Sequence, residues 1–305
     1  MSEKSNRQIT EGQALWVIIT VIIGVDAIWA WSIGVGVTFN PVAGSGVVLA
    51  GGVGFVYANL RPDRRIAVLA TTSAQLIAFI AAVAILSYLT VTSKFPLVDR
   101  YLAASDAAIG FDWLSSFTWI QDHPAINLML GLSYASIFPQ IIVLMVVLSI
   151  TRRLDRMREF LWLFVLTLLI IVPLSWLFPA ESAWAYFGVT DRIDAYHLAD
   201  FTALRTGHMQ EIDVSRTNGL ITFPSFHAAL ALILIYTTRG IRVLFPLSLG
   251  LNVLMIASTP SAGGHYCVDI LAGLAVVPLA IFILRSWQRE PSEHLTLAVE
   301  PTARD

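Results

Sequence analysis

Apolar runs close to 20 residues long, separated by short polar segments, recur along the whole chain. A helix that crosses the hydrocarbon core of a bilayer needs roughly 20 mostly apolar residues. Residues 14–38, 42–60, 66–92, 126–150, 160–179, 221–238, 241–258 and 266–287 meet that pattern and predict eight transmembrane helices in an all-α polytopic protein. The first run is longer than the ~7–15-residue apolar region of a signal peptide, so it predicts a retained span. Two longer polar connections interrupt the series, 93–125 and 180–220. The aromatic residues Trp113, Phe117 and Trp119 in the first predict interfacial structure without chemistry of its own, because such rings favour the headgroup level. The second carries histidines and arginines and leads straight into the sixth run, and long connections in compact proteins are more often functional or disordered than idle.

Composition agrees with the pattern. Of the 305 residues, 56% are hydrophobic and 13% charged, with a mean hydropathy of +0.72, against about 25% charged residues in a soluble domain. Charge adds an orientation. With eight spans, one side receives Lys4, Arg7, Arg61, Arg64, Arg65, Arg152, Arg153, Arg156, Arg158, Arg239, Arg242, Arg285, Arg289 and Arg304. The other receives only Lys94, Arg100, Arg192, Arg205 and Arg216. Cytoplasmic loops are rich in Lys and Arg, so both termini are expected in the cytoplasm of a cell (plasma or inner) membrane protein, with 93–125 and 180–220 outside. A net charge of −2 and the lack of a basic, aromatic-interleaved stripe argue against a nucleic-acid partner. The single cysteine, Cys267, excludes an internal disulfide.

Candidate chemistry gathers where two outward-facing helices are expected to begin. In "TFPSFHAALAL", Pro224 and Ser225 are predicted to open the sixth span with His227 in its first turn. A helix N-terminus presents free N–H groups and a positive dipole end, which suit phosphate, and the Ser225 hydroxyl would add a donor. In "STPSAGGHYCVDILAG", His265 and Asp269 stand four apart, a spacing that shares one helix face. A carboxylate bonded to one imidazole nitrogen fixes the tautomer and leaves the other nitrogen free to attack. Gly263 and Gly264 let backbone approach a ligand closely. If the starts of spans six and eight meet, His227 faces His265. This set fits phosphoryl transfer without metal or cofactor. A zinc site on His227, His265 and Asp269, Ser225 as an acyl-transfer nucleophile, and a transporter or anion-binding vestibule using the same residues are the competing readings. Asp26, inside the first span, is an ionisable group at membrane depth and is expected to serve structure. His123, His197 and His208 are read as loop or interface residues, with His208 beside Arg205 the first to test.

"PSFH" at 224–227 and "GGHYCVD" at 263–269 resemble the second and third motifs, P-S-G-H and S-R-x5-H-x3-D, of the type-2 phosphatidic acid phosphatase superfamily. The resemblance implies a six-helix core over 66–288, preceded by a tail and two additional helices in 1–65 and followed by a cytoplasmic tail, 289–305. It implies that His265 attacks phosphorus, Asp269 holds His265, His227 protonates the leaving group and Ser225 binds phosphate, with water or an alcohol as acceptor. The sequence departs from the family where Thr259 replaces the third-motif arginine, and no K-x6-R-P first motif exists, since Arg61-Pro62 lies on the basic side. Arg205 and Arg216 are the nearest outer-side substitutes. The S-T pair at 258–259, P-S-x-H and "HY" resemble the inositol phosphorylceramide synthase branch, which implies a lipid head-group phosphotransferase as much as a phosphatase. The superfamily's vanadate-dependent peroxidases are disfavoured by the membrane composition and the missing lysine. The sequence names neither donor lipid nor oligomeric state.

Overall fold

The computed structural model describes residues 2–39, 41–193 and 195–289; of the tail expected at 289–305, residues 290–305 lie outside that range. Helix α1 (Ser2–Ile33) and a three-residue strand β1 (Gly36–Thr38) precede α2 (Pro41–Asn59) and α3 (Arg64–Val91). Two short helices, α4 (Asp99–Ala108) and α5 (Trp113–Gln121), occupy the first long connection and lead to α6 (Pro124–Ala135) and α7 (Ile137–Ile150). After α8 (Leu154–Leu177), the second long connection folds into α9 (Ala183–Tyr186), α10 (Tyr196–Thr206) and β2 (Glu211–Asp213). Helices α11 (Phe226–Thr238), α12 (Leu244–Gly263) and α13 (Cys267–Arg289) follow.

All eight apolar runs are therefore helical. Five helices are long and apolar enough to cross a membrane, a sixth is added if α6 and α7 form one span, and Gly44–Asn59 and α11 are shorter apolar helices. The chain is an all-α, multi-pass membrane protein, with one parallel pair, β1 on β2, as the strand structure among the described residues. That pair ties the end of α1 to the connection that precedes α11.

The boundaries depart from the sequence expectation in three places. Residues 126–150 form two helices bent by 49°. Pro139 has no N–H, and its ring clashes with the carbonyl four residues back, at Ala135, where α6 ends. Helix α11 starts at Phe226, not 221, so Pro224 lies outside it. Helix α12 runs through Thr259 and Pro260 to Gly263, so the connection expected between the run ending at 258 and the run starting at 266 becomes Gly264, His265 and Tyr266.

The main apolar cluster of the core is built from α1, α3, α7, α8, α11, α12 and α13, including Phe79, Leu148, Phe160, Leu163, Ile233 and Val277, and two smaller clusters form around Tyr88 and Phe201 and around Trp113 and Tyr266. Large apolar side chains such as Val21, Ile142, Leu247 and Phe282 point outward instead, as lipid-facing positions should. Asp26 is buried on α1, and neither carboxylate oxygen has a hydrogen-bond partner among the described residues. The basic connections meet at one end of the bundle. Ser149 Oγ donates to the Arg65 carbonyl at 3.2 Å. Arg156 donates to the carbonyls of Thr237 and Arg239, while Arg239 pairs with Glu159 at 2.9 Å. The start of α11, the end of α12 and the start of α13 lie at the other ends of those helices. At that end the histidines meet.

Candidate active site

The site begins with a helix that stops. Helix α12 ends at Gly264, whose φ of 66° is left-handed, a conformation glycine adopts without cost. A Cβ there would also run into Ser182 and Trp184. The reversal places His265 before the first turn of α13, not on that helix as the i, i+4 spacing suggested. The histidine is fixed through its backbone N–H, its carbonyl and one ring nitrogen. Its N–H donates to the Thr259 carbonyl at 3.3 Å, and its own carbonyl accepts from Trp113 Nε1 at 2.9 Å. On the ring, Nδ1 lies 2.9 Å from the Thr222 carbonyl and 3.3 Å from Asp269 Oδ2.

A carbonyl can only accept, so Nδ1 carries the proton and Nε2 keeps its lone pair. The sequence reading gave this orienting role to Asp269 alone; the shorter contact is to Thr222, a backbone group with no signature in sequence. Asp269 is fully buried, and its Oδ2 also accepts from the Tyr266 N–H at 2.8 Å. Burial drives the His265 pKa down to about 4, against the pull of the Thr222 carbonyl, which favours the charged form. The imidazole is therefore neutral, and nucleophilic, at physiological pH.

Across from it, Ser225 caps α11 by accepting from the Ala228 N–H at 3.4 Å, and His227 is the second residue of that helix. The His227 and His265 rings stand 6.3 Å apart, tilted by 55°. Tyr134, on α6, stacks on His227 at 4.3 Å with its hydroxyl 3.2 Å from Nδ1. The starts of α11 and α13 are clasped backbone to backbone. Ser225 N–H donates to the Asp269 carbonyl at 3.1 Å, and a Cβ on Gly273 would collide with the Ser225 carbonyl. Gly263 is required in the same way, because a Cβ there would lie 2.8 Å from the Tyr134 hydroxyl and 3.0 Å from the His265 ring.

A ring of carboxylates holds the α13 side in place. Asp106, on α4, accepts from the N–H groups of Cys267 and Val268 at 2.8 and 2.9 Å, capping α13. Asp99, at the start of α4, accepts from the Tyr266 hydroxyl at 2.9 Å and from the N–H groups of Glu181 and Ser182. Burial pushes the Asp106 carboxyl above its ordinary range, and burial together with Asp99 does the same to Glu181. The connection 93–125, expected to be without chemistry, thus supplies Asp99, Asp106 and Trp113 as supports of the histidine turn. Their contacts span 82 to 167 residues, a separation that local patterns do not reveal.

Of the sequence candidates, His227, His265, Asp269, Ser225 and Gly264 come together. Thr259 is fully buried; its hydroxyl donates to the Ile256 carbonyl at 2.7 Å, and its carbonyl accepts from Gly264 and His265. Arg205, in the last turn of α10, donates to the carbonyls of Ser93 and Phe95 at 3.3 and 2.8 Å. Arg216 is 87% exposed and pairs with Asp213 at 3.5 Å. Neither guanidinium contacts either site histidine among the described residues. His208 is exposed and bonds to Thr206. Among the described residues no group of three or more His, Cys, Asp and Glu is arranged to hold a metal ion, so the zinc geometry is not formed.

A family model described as the PAP2 superfamily matches residues 100–283, a stretch that contains both motifs and every residue named in this site except Asp99. No curated protein and no solved structure matches the chain.

Proposed function

We propose a function from one premise: this chain belongs to the PAP2 superfamily, a family of phosphatase and phosphotransferase type. Within it, the protein acts on a lipid-linked phosphate or phosphorylated head group through a covalent phosphohistidine. The observation that carries this reading is the tautomer of His265, with Nδ1 engaged by Thr222 and Asp269 and a neutral Nε2 turned free. In the first step Nε2 attacks phosphorus and the bond from phosphorus to the leaving oxygen breaks. His227, in its protonated form, gives its proton to that oxygen. The imidazolium character that His265 gains on attack is balanced by Asp269. In the second step His227, now neutral, takes a proton from water or an alcohol, whose oxygen displaces His265 from phosphorus.

Helix α11 is the natural seat for the phosphate oxygens. The N–H groups of its first turn have no partner within the helix, the dipole favours an anion there, and the Ser225 hydroxyl retains a proton to donate. The positive-inside distribution of Lys and Arg supports an extracytoplasmic site at the outer leaflet, with both termini cytoplasmic. Helices α1 and α2 are assigned as an addition to a six-helix core that starts at α3. The Thr259 substitution supports the head-group transferase branch. Family membership favours an enzyme over the transporter reading.

The test is a trapping experiment on purified protein in detergent. Phosphatidate labelled in its phosphate, quenched in alkali during turnover in excess EDTA, should leave acid-labile, alkali-stable label on His265. Turnover that requires a divalent metal, or label that survives acid, would refute the mechanism. Replacing phosphatidate with phosphatidylinositol and resolving products by mass spectrometry identifies donor and acceptor.

A further inference from the structure

The basic end of the bundle, away from the histidines, carries a groove of about 480 Å³ between α11 and α13. Leu232 and Tyr236 stand four apart on α11, and Val277, Ile281 and Arg285 follow at the same spacing on α13, so each helix turns one stripe toward the groove. The chemistry changes along those stripes. Leu232, Val277 and Phe282 supply apolar walls, whereas Tyr236, Arg285 and Ser286 make the end of the groove polar, and no acidic residue lines it.

That polar end is short of negative charge. Arg285 donates to the Tyr236 hydroxyl at 3.0 Å, and the hydroxyl gives its own proton to Glu159 at 3.1 Å. Glu159 is already taken by Arg239, which donates to both carboxylate oxygens at 2.9 and 3.0 Å while its guanidinium lies 3.7 Å from the centre of the Tyr236 ring. Arg156 joins them through the Arg239 carbonyl. Three guanidinium groups thus gather at one carboxylate, and Arg285 has no ion pair among the described residues. Two residues on, Trp287 packs edge-on against Trp162 at 4.8 Å. Indole rings favour the headgroup level, which puts Arg285 and Ser286 at the depth of lipid phosphates. From Arg285 to Val277 the groove then reaches ~12 Å towards the middle of the bundle, at a helical rise of about 1.5 Å per residue.

We propose that this groove binds an anionic phospholipid from the leaflet at the basic end, as a site separate from the histidines. Arg285 holds the head-group phosphate, the Ser286 hydroxyl donates to it, and one acyl chain lies between Leu232, Val277 and Phe282. Charge complementarity selects the occupant. A lipid with net negative charge offsets the guanidinium excess, whereas a zwitterionic lipid brings its own cation into it; basic pockets between transmembrane helices hold anionic head groups for this reason. The groove lies at the far ends of the two helices clasped at Ser225 and Asp269, and the assignment does not depend on the phosphohistidine reading.

Native mass spectrometry of the full chain released from detergent, with phosphatidylglycerol or phosphatidylcholine of identical chains, tests this. Phosphatidylglycerol should bind at least about fivefold more tightly, the worth of one basic residue near a lipid surface. Arg285→Gln should abolish the preference. Arg285→Lys should restore it, which shows that the loss is not misfolding. Arg242→Gln, at an exposed position of the same end outside the groove, should leave it unchanged. Equal affinity for the two lipids, or a preference that survives Arg285→Gln, would overturn the site. An equal loss in Arg242→Gln would do the same by showing diffuse surface charge only. Inorganic phosphate that displaces the Arg285-dependent lipid as well as phosphatidylglycerol does would remove the acyl seat, and a dimer that Arg285→Gln dissociates would make a second copy the occupant; either result refutes the proposal. No turnover is needed, so failure here leaves the trapping of label on His265 untouched, and failure of trapping leaves this site standing.

Discussion

The two helices that meet at the site begin in opposite ways. Helix α13 starts with its amides occupied by carboxylates: Asp106 takes Cys267 and Val268, and Asp269 takes Tyr266. Helix α11 starts with a neutral cap, Ser225, and no acidic residue in its first turn. Both ends carry the same dipole, yet only one is left for an anion. The difference teaches that an N-terminus is a phosphate site only when no carboxylate has reached it first. In the proposed mechanism this divides the labour: the α13 side holds the nucleophile, and the α11 side what the nucleophile attacks.

The most severe way to break this division is to remove the nucleophile. His265→Ala should slow phosphate release at least about a thousandfold, measured by initial rates, while the protein still binds inorganic phosphate through α11. Loss of binding with retained turnover would invert the two roles. The native enzyme should also keep a neutral nucleophile as the pH falls, losing activity about tenfold per unit only below about 4. The sign for stability is opposite to that for an ion-paired histidine. An unfolded histidine titrates near about 6.5, so acidification from there towards 4 favours the unfolded chain.

Changing the α11 side should cost less and cost it selectively. His227→Gln is expected to lower kcat by about 10²–10⁴ with phosphatidate, and by much less with p-nitrophenyl phosphate, whose leaving group needs no proton. An equal loss on both substrates would deny His227 the role of acid. Removing the α13 cap is smaller again. Asp106→Ala should lower stability by about 1 kcal/mol and the melting temperature in detergent by about 2–4 °C, with turnover falling as the histidine turn loosens. At the bottom of the scale, Arg216→Ala should leave stability within about 0.5 kcal/mol and turnover within about twofold, since its side chain is exposed on Asp213. A large loss would place that loop over the substrate.

What was legible in the sequence was what depends on neighbours in the chain. Each apolar run announced a helix because the bilayer demands length and apolarity together. Ser225, His227, His265 and Asp269 announced themselves by short spacing next to a helix start. Helix ends were harder. Pro139 carried the signal for the bend at Ser136, and Thr259 and Pro260 hid a helix that continues to Gly263. The supports of the site were not legible at all, because Tyr134 and Trp113 reach the histidines, and Asp106 the start of α13, from other helices. The decisive acceptor, the Thr222 carbonyl, belongs to the backbone and has no letter.

Gly273 sets a dimension. With no side chain, it lets α13 settle directly on the Ser225 carbonyl, one turn past Asp269. The width of the gap between the two histidines is therefore gauged by an absent methyl group, in the way a shim sets a bearing clearance. Any larger residue would wedge the two helices apart and move every reacting atom at once. Such a change leaves all the side chains of the proposed mechanism in place, so an inactive variant at this position would keep its full complement of chemistry and lack only the fit.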